Sequence, residues 1–266
     1  MTIAILGAGK IGEALLSGLL ASGSAPADVV ICERVAARAD ELVTRYGVRR
    51  EDEVAAAVRG AEVVVLAVKP GDVVAVAGLA AATLDPAAMV LSVAAGVPAA
   101  TIESALPPGT PVVRVMPNTP MLVGEAMSAI AAGGAVGPEH LDRAEQLMAT
   151  VGRVVRVPEA QIDVVTAVSG SGPAYLYLVV ESMIDAGVLL GLSRPLATEL
   201  ATQTALGAAR MLRETGEHPA LLREAVTSPG GTTAAALREL EDAGLRAAFY
   251  DALEACRNRA ADLARG

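Results

Sequence analysis

The first twenty residues constrain the fold of this chain most. The apolar run Thr2–Leu6 is typical of a buried strand, and the apolar residues between positions 11 and 20 recur at helical spacing. Between them lies Gly7–Gly12, which has the pattern G-x-G-x-x-G. Glycines at this place permit a tight turn, the approach of a pyrophosphate to the helix N-terminus, and close helix packing. The order predicts a dinucleotide-binding domain at the start of the chain.

Strand and helix patterns alternate as far as Pro158, and strand patterns then stop. The predicted strands are Thr2–Leu6, Val29–Cys32, Val63–Val68, Met89–Val93, Val112–Met116, Ala126–Ala131 and Val154–Val157. Alternation of this kind predicts an α/β, Rossmann-type, doubly wound parallel sheet over residues 1–158. The rest, residues 159–266, is predicted to be an all-α domain for substrate binding and dimerisation. Its first helical segment, Ala160–Leu190, should break or kink at Pro173.

The helical part is apolar on most faces, in a chain that is 53% hydrophobic but only 2% aromatic. Such helices are hard to bury within about 100 residues, and they favour an obligate dimer interface. The alternative is a self-contained bundle that packs on the first domain.

Charge and targeting signals exclude several classes of partner. A net charge of −9 argues against nucleic acid and against an anionic membrane. The apolar run Val73–Leu84 is too short to span a bilayer, and no signal peptide is apparent. Two cysteines and two histidines, far apart in sequence, give no support for a metal site. We therefore expect a cytoplasmic protein with reduced thiols and no metal.

The cofactor type is left open by two neighbouring residues. Glu33 ends the second predicted strand, where a carboxylate would bind the ribose 2′-hydroxyl of NAD. Arg34 follows it and could pair with the 2′-phosphate of NADP. Lys10, inside the glycine loop, could add positive charge or remain a solvated lysine.

Further candidates follow the next predicted strands, because open α/β sheets bind ligands at the carboxyl ends of their strands. Lys69 and Pro70 come after one strand, and Ala94 and Ala95 after the next. For Pro70 simple strand termination is an equal alternative. Asn118 lies between prolines, and its amide could orient a nicotinamide or the substrate.

A second glycine-rich loop, Ser228–Thr233, precedes a helical pattern. The amides of Gly230, Gly231 and Thr232 can converge on a carboxylate, and Thr233 adds a hydroxyl. The alternative is a capping turn with Thr232 or Thr233 as N-cap. The only lysines of the chain are Lys10 and Lys69, so no lysine acid, base or Schiff base can come from the C-terminal half.

These segments, taken in order, resemble the pyrroline-5-carboxylate reductase family over essentially the full length. The similar segments are Gly7–Gly12, Val68–Pro70, Ala94–Val97, Met116–Pro120, Ser169–Tyr175, Glu214–Pro219 and Ser228–Thr233. The resemblance implies reduction of the cyclic imine 1-pyrroline-5-carboxylate to L-proline by hydride transfer, with NADP(H) favoured and NAD(H) possible. It also implies dimers through the C-terminal helices, possibly assembled as pentamers of dimers, with the active site between the Rossmann domain of one subunit and the helices of the other.

The resemblance assigns roles to individual residues. Thr233 would be catalytic by hydrogen-bonding the ring nitrogen, while Ser228 and the amides of Gly230, Gly231 and Thr232 would hold the substrate carboxylate. The residues expected at the cofactor are Gly7, Ala8, Gly9, Lys10, Ile11, Gly12, Glu33, Arg34, Val68, Lys69, Pro70, Ala94, Ala95 and Asn118.

Two other classes of protein compete with this interpretation. A β-hydroxyacid dehydrogenase shares the domain arrangement but needs a catalytic lysine on its long helix, where this chain has Pro173–Leu176. A nucleotide-sensing regulator without catalysis would have no use for a second anion-binding loop beside a hydroxyl group.

Overall fold

The computed structural model describes residues 1–265, which form two compact units. One unit contains residues 1–171 together with the chain from Ala255 onward, and the other is Gly172–Glu254. The predicted boundary after residue 158 separates strands from helices. The first unit also includes the helical residues 159–171, and the functional boundary between domains stays a prediction.

The first unit is built on one eight-stranded sheet with the order β3-β2-β1-β4-β5-β6-β7-β8. The strands are β1 Ile3–Leu6, β2 Val29–Cys32, β3 Arg49–Arg50, β4 Val63–Leu66, β5 Met89–Ser92, β6 Val112–Met116, β7 Ala126–Ala132 and β8 Gly152–Arg156. All neighbouring strands are parallel except β6 and β7, which are antiparallel. The predicted doubly wound parallel sheet is thus present with one antiparallel pair, because only a short 3-10 segment and turn join β6 to β7, too short for a parallel crossover.

Helices cover both faces of the sheet. The helices of this unit are α1 Lys10–Ala21, α2 Ala36–Tyr46, α3 Val54–Ala57, α4 Val73–Ala81, α5 Ala99–Glu103, α6 Pro138–Ala149 and α7 Ile162–Val165. Strand β1 shows the consequence, since Ile3 and Ile5 belong to one buried cluster while Ala4 and Leu6 belong to another. Alternate residues of a strand point to opposite faces, so a strand buried on both faces must be apolar throughout.

Five further helices follow in the described part of the chain, and three of them have 18 or more residues. They are α8 Gly172–Leu189, α9 Arg194–Thr215, α10 Pro219–Ala225, α11 Thr232–Asp242 and α12 Leu245–Arg265, of which the last continues into the first unit. The predicted break near Pro173 is present. A π-helical turn, Thr166–Gly170, precedes α8, and the amide of Ser171 donates to the carbonyl of Thr166 at 2.8 Å. Proline has no amide hydrogen to continue the ladder, and the chain changes its helix type just before it.

The helices of the second unit expose much of their apolar surface. Leu176, Tyr177 and Leu178 on α8 are each 64% exposed. By length and composition alone, the helical run Glu159–Leu189 could cross a membrane, and 11% of its apolar 18-residue stretch is buried. One such helix is weak support for a membrane span, since core helices of other proteins pass the same test.

Candidate active site

The three glycines of Gly7–Gly12 have different surroundings, and two of them leave no room for a Cβ. Gly7 has φ +90°, and a Cβ there would lie 2.8 Å from the carbonyl carbon of Ala67. A Cβ on Gly12 would overlap the carbonyl oxygen of Gly7, so Gly12 lets α1 begin close to the strand. Gly9 instead faces open space, with nothing within 4 Å of a Cβ placed on it. This division fits a dinucleotide pyrophosphate approaching at Gly9, on the amides that begin α1.

The residue between these glycines, Ala8, has both of its backbone polar groups bonded to side chains. Its amide donates to Glu33 Oε2 at 2.8 Å, and its carbonyl accepts from Arg38 Nε at 3.2 Å. Glu33 also accepts from the amide of Val35 at 3.0 Å. The Glu33 carboxylate therefore fastens the glycine loop to the end of β2, a role that its position in the sequence did not indicate.

The two residues expected to select the cofactor have different surroundings. Glu33 is half-buried and bonded as described, whereas Arg34 is exposed and forms no ion pair among the described residues. Lys10, at the first position of α1, is exposed as well. A cationic group free to meet a phosphate is thus present at Arg34 beside the carboxyl end of β2.

The other strand-end residues gather at the same edge of the sheet, since β1, β4 and β5 are parallel neighbours. Val68 borders the glycine loop, as its Cγ1 would lie 2.9 Å from a Cβ on Gly7. Lys69 and Pro70 are exposed and begin a 3-10 turn. Ala94 is buried, while Ala95 is exposed and can meet a ligand.

The Asn118 side chain bonds two backbone groups of the fold, a structural role that the sequence did not indicate. Its Nδ2 donates to the carbonyl of Ser169 at 3.0 Å, and its Oδ1 accepts from the amide of Met127 at 2.9 Å. The side chain thus joins the turn after β6 to the start of β7 and to the π-helical turn. A direct contact of Asn118 with cofactor or substrate stays a prediction.

The sequence-based prediction of the site did not include a buried group of charged side chains, formed by Arg114, Glu159 and Asp163. Arg114 on β6 is only 5% exposed at its side chain, and it lies 3.4 Å from Glu159 Oε1 and 3.6 Å from Asp163 Oδ1. Glu159 Oε1 in turn accepts from the amide of Ala99 at 2.7 Å. Arg114 therefore ties β6 to the first residue of α5, which follows the Ala94–Ala95 loop.

The loop before α11 is a tight turn. The amide of Gly231 donates to the carbonyl of Ser228 at 3.0 Å, and Gly230 has φ +68°, a conformation that favours glycine. A Cβ on Gly231 would overlap the Ser228 hydroxyl. The internal bond engages the Gly231 amide, which the sequence had assigned to a carboxylate. Among residues 1–265, the amides of Gly230 and Thr232 have no such partner.

Neither threonine of this loop is an N-cap. The N-cap of α11 is Gly231, with no side-chain cap bond, so Thr232 and Thr233 occupy the first two helical positions. Thr232 is exposed and Thr233 half-buried, and the hydroxyls of both make no hydrogen bond within the described part of the chain. The capping alternative is therefore wrong, and both hydroxyls are available to a ligand.

His218 and Cys32 are two further side chains of types that can transfer protons or bind metals. His218 caps α10, since its Nδ1 accepts from the amide of Ala220 at 3.2 Å. Among the residues that the structure describes, no group of three His, Cys, Asp or Glu could hold a metal ion. Cys32 is buried and free, and burial, followed by the nearby Glu53 carboxylate, raises the pKa of its thiol.

Comparisons with known proteins match both parts of the chain. Residues 159–263 match the family model for pyrroline-5-carboxylate reductase dimerisation. Residues 2–96 match the model described as NADP oxidoreductase, coenzyme F420-dependent. Pyrroline-5-carboxylate reductase of Corynebacterium melassecola is 48% identical over 265 residues, which cover 98% of each chain. This chain belongs to the pyrroline-5-carboxylate reductase family.

Solved structures of other family members have the same fold. The enzyme of Coxiella burnetii superposes with a TM-score of 0.93 at 37% identity, over 98% of each chain. Plasmodium falciparum pyrroline carboxylate reductase with NADP bound gives a TM-score of 0.89 at 27% identity, covering 99% of this chain and 98% of that one.

Family membership confirms the predicted fold class, the reductase activity of the chain on pyrroline-5-carboxylate, and the use of a nicotinamide dinucleotide, with NADP(H) favoured and NAD(H) possible. The dimerisation model also supports self-association, and the activity implies a small-molecule substrate. The roles of individual site residues remain predictions, which the following subsections develop.

Proposed function

We propose that Ser228–Thr233 holds the substrate while the Gly7–Gly12 loop holds NADPH. The observation that carries this proposal is the start of α11, where two threonines occupy helical positions without capping the helix. Open amides at a helix N-terminus attract a carboxylate, and the amides of Gly230, Thr232 and Thr233 can receive it. Ser228 would complete this cradle through its hydroxyl, with Gly231 bracing the turn from within.

Chemistry at this loop needs little beyond orientation. When bound, NADPH supplies the hydride. A protonated cyclic imine is already electrophilic, so the chain has only to hold its carboxylate and ring nitrogen in place. In our proposal the Thr233 hydroxyl accepts a hydrogen bond from the ring N–H. This assignment agrees with the lack of lysine in the C-terminal half and with the capping bond that engages His218.

The cofactor residues are proposed to act in two groups. The amides that begin α1, with Gly9 leaving room, would bind the pyrophosphate, and Arg34 would meet the 2′-phosphate of NADPH. Exposed residues at the strand ends, Lys69 and Ala95, would line the path of the nicotinamide half. Lys10, Ile11, Val68, Pro70, Ala94 and Asn118 are retained in this proposal as residues that border or support the cofactor.

Assembly and location complete the proposal. The exposed apolar helices α8 and α9 would be covered by a second copy of the chain, and pentamers of dimers remain possible. The substrate loop of one subunit facing the cofactor of its partner stays a prediction, as do a cytoplasmic location and the absence of nucleic-acid and membrane partners.

The test is steady-state reduction of pyrroline-5-carboxylate with Thr233→Ala beside its matched control Thr232→Ala. We expect the wild type to oxidise NADPH in the presence of the imine. Loss of a hydrogen bond to a charged group costs about 1.5–3 kcal/mol, so Thr233→Ala should lower kcat/KM about 10- to 100-fold. Thr232→Ala should change it much less, and both should keep the wild-type melting temperature because neither threonine caps the helix.

Equal losses in the two threonine variants would remove the special role of Thr233. No turnover by the wild type with NADPH or NADH would contradict the proposed reaction itself.

A further inference from the structure

The glycine loop is held from outside by one arginine that belongs to a different element. Arg38, on α2, donates through Nε to the carbonyl of Ala8 at 3.2 Å. Its Nη1 is 2.8 Å from Glu41 Oε2, and its Nη2 pairs with Glu13 Oε2 on α1. One guanidinium therefore contacts the loop, the helix that follows the loop, and its own helix.

A second arginine provides a natural comparison. Arg45 pairs with the same two carboxylates, at 2.6 Å from Glu13 Oε1 and 2.7 Å from Glu41 Oε1. Within the described residues it donates no hydrogen bond to Ala8, and its side chain is 52% exposed against 24% for Arg38. The two cations and two carboxylates cancel in charge, so loss of either arginine leaves the same excess negative charge beside the loop.

The flanking glycines make this contact important. Ala8 lies between Gly7 and Gly9, which have no Cβ to restrict backbone rotation. A trans peptide directs its C=O and N–H to opposite sides. Holding the Ala8 carbonyl toward Arg38 thus directs the Gly9 amide away from Arg38, while Glu33 fixes the peptide on the other side of Ala8 at 2.8 Å.

We propose that Arg38 is a positioning residue for the dinucleotide: it fixes the Ala8–Gly9 peptide so that the loop amides are presented to the pyrophosphate before the cofactor binds. This inference rests on the proposed binding of NADPH at Gly7–Gly12. Arg38 does not contact the cofactor in this role. Both its charge and its shape matter, because a planar guanidinium can reach the carbonyl and two carboxylates at once, which a single ammonium group cannot.

The experiment compares NADPH affinity, measured by titration calorimetry without substrate, in Arg38→Gln and Arg45→Gln. Apparent affinity falls in proportion to the fraction of molecules whose loop is binding-competent. We expect the dissociation constant to rise about tenfold in Arg38→Gln and about twofold or less in Arg45→Gln, since only the former frees the Ala8 carbonyl. Exchange of the Ala8 amide, which is protected by its bond to Glu33, should be faster in Arg38→Gln alone.

Kinetics separate positioning from general damage. The KM for NADPH should rise in Arg38→Gln while kcat at saturating NADPH and the KM for pyrroline-5-carboxylate stay near wild type. Arg38→Lys, which keeps the charge, should weaken NADPH less than Arg38→Gln but more than Arg45→Gln, and it serves in place of Arg38→Gln if that variant does not fold.

Equal loss of affinity in Arg38→Gln and Arg45→Gln would show a charge effect only and overturn the inference, as would wild-type affinity in Arg38→Gln. Wild-type affinity in Arg38→Lys would also overturn the inference, since the planar guanidinium would then be unnecessary. A wild-type protein that does not bind NADPH would instead contradict the proposed cofactor loop, which keeps the two failures distinct.

Discussion

Glu33 and Arg34 show how two adjacent residues can have opposite relations to one ligand. The carboxylate of Glu33 is bonded to the amides of Ala8 and Val35, so it serves the loop itself. Arg34 is exposed at the same strand end and forms no ion pair within residues 1–265. A free cation at this place can distinguish NADPH from NADH by their 2′-substituents.

Arg34→Ala should weaken NADPH about tenfold and NADH less than about twofold, because only NADPH has a 2′-phosphate to lose. Dissociation constants for both cofactors, measured under one buffer condition, test this expectation.

The control for this substitution is Arg59→Ala. Arg59 is an exposed arginine that precedes β4, so it lies near the amino end of that strand, whereas Arg34 follows the carboxyl end of β2. The Arg59→Ala substitution removes the same charge without altering the carboxyl end of β2. Equal effects of Arg34→Ala on the two cofactors would mean that Arg34 does not bind the 2′-phosphate of NADPH.

At the level of elements, Glu13 connects α1 to α2. Its carboxylate pairs with Arg38 and Arg45 and accepts from the Tyr46 hydroxyl at 3.1 Å, all of them on α2. Partial burial by itself raises the pKa of Glu13, but the hydrogen bonds from Arg38 and Tyr46 and the charges of both arginines outweigh it, so that the pKa lies below the usual value of 4.5. The ionised form is therefore favoured in the folded state.

This lowered pKa predicts a pH dependence of stability. A carboxyl group whose pKa is lower in the folded than in the unfolded chain stabilises the fold above the unfolded value and loses that contribution as pH falls through the folded value. Glu13→Gln should thus be less stable than wild type at pH 7 by about 1 kcal/mol, and the difference should shrink below about pH 4. Urea unfolding at both pH values measures it.

Glu51→Gln is the control, because Glu51 is an exposed carboxylate of the same unit with no ion pair among the described residues. Its difference from wild type should be small at both pH values. A Glu13→Gln difference that stays constant from pH 7 to acid pH would assign the contribution of Glu13 to packing rather than to charge.

For the whole molecule, the dominant feature is apolar surface on the long helices. Exposed patches of this kind mark interaction sites in soluble proteins. The helices carry them over residues that match a dimerisation family model. The helical run that is apolar enough to cross a membrane lies partly in this region, and a second copy of the chain would cover it without lipid.

Leu178→Glu should therefore convert dimers to monomers, because a buried carboxylate without a partner costs several kcal/mol at an interface. Sedimentation velocity across a concentration series would show the change in mass. The matched control is Leu79→Glu on α4, where the leucine is 60% exposed, close to the 64% of Leu178. Dimers that persist in Leu178→Glu would exclude this face of α8 as the interface, and a larger species in the wild type would support pentamers of dimers.

Local patterns determined most of the fold. Strands such as Val29–Cys32 were predictable to the residue, because a strand buried on both faces must be continuously apolar. The helix ends at Gly47 and Gly216 were predictable for a related reason, as both adopt the left-handed conformation that glycine favours. The two charged residues of β3 and the antiparallel pairing of β7 had no local signature.

The sequence by itself determined which chemical groups are present, including two glycine loops at helix starts and no lysine after Lys69. Only the tertiary structure decided what those groups are free to do. It engages the Glu33 carboxylate and the Asn118 amide in internal bonds, while the Arg34 guanidinium and the Thr233 hydroxyl have no such bond among the described residues. The reason is that hydrogen bonding between residues far apart in sequence depends on distances that folding creates, whereas glycine conformation and the apolar pattern of a strand are properties of each residue and its neighbours.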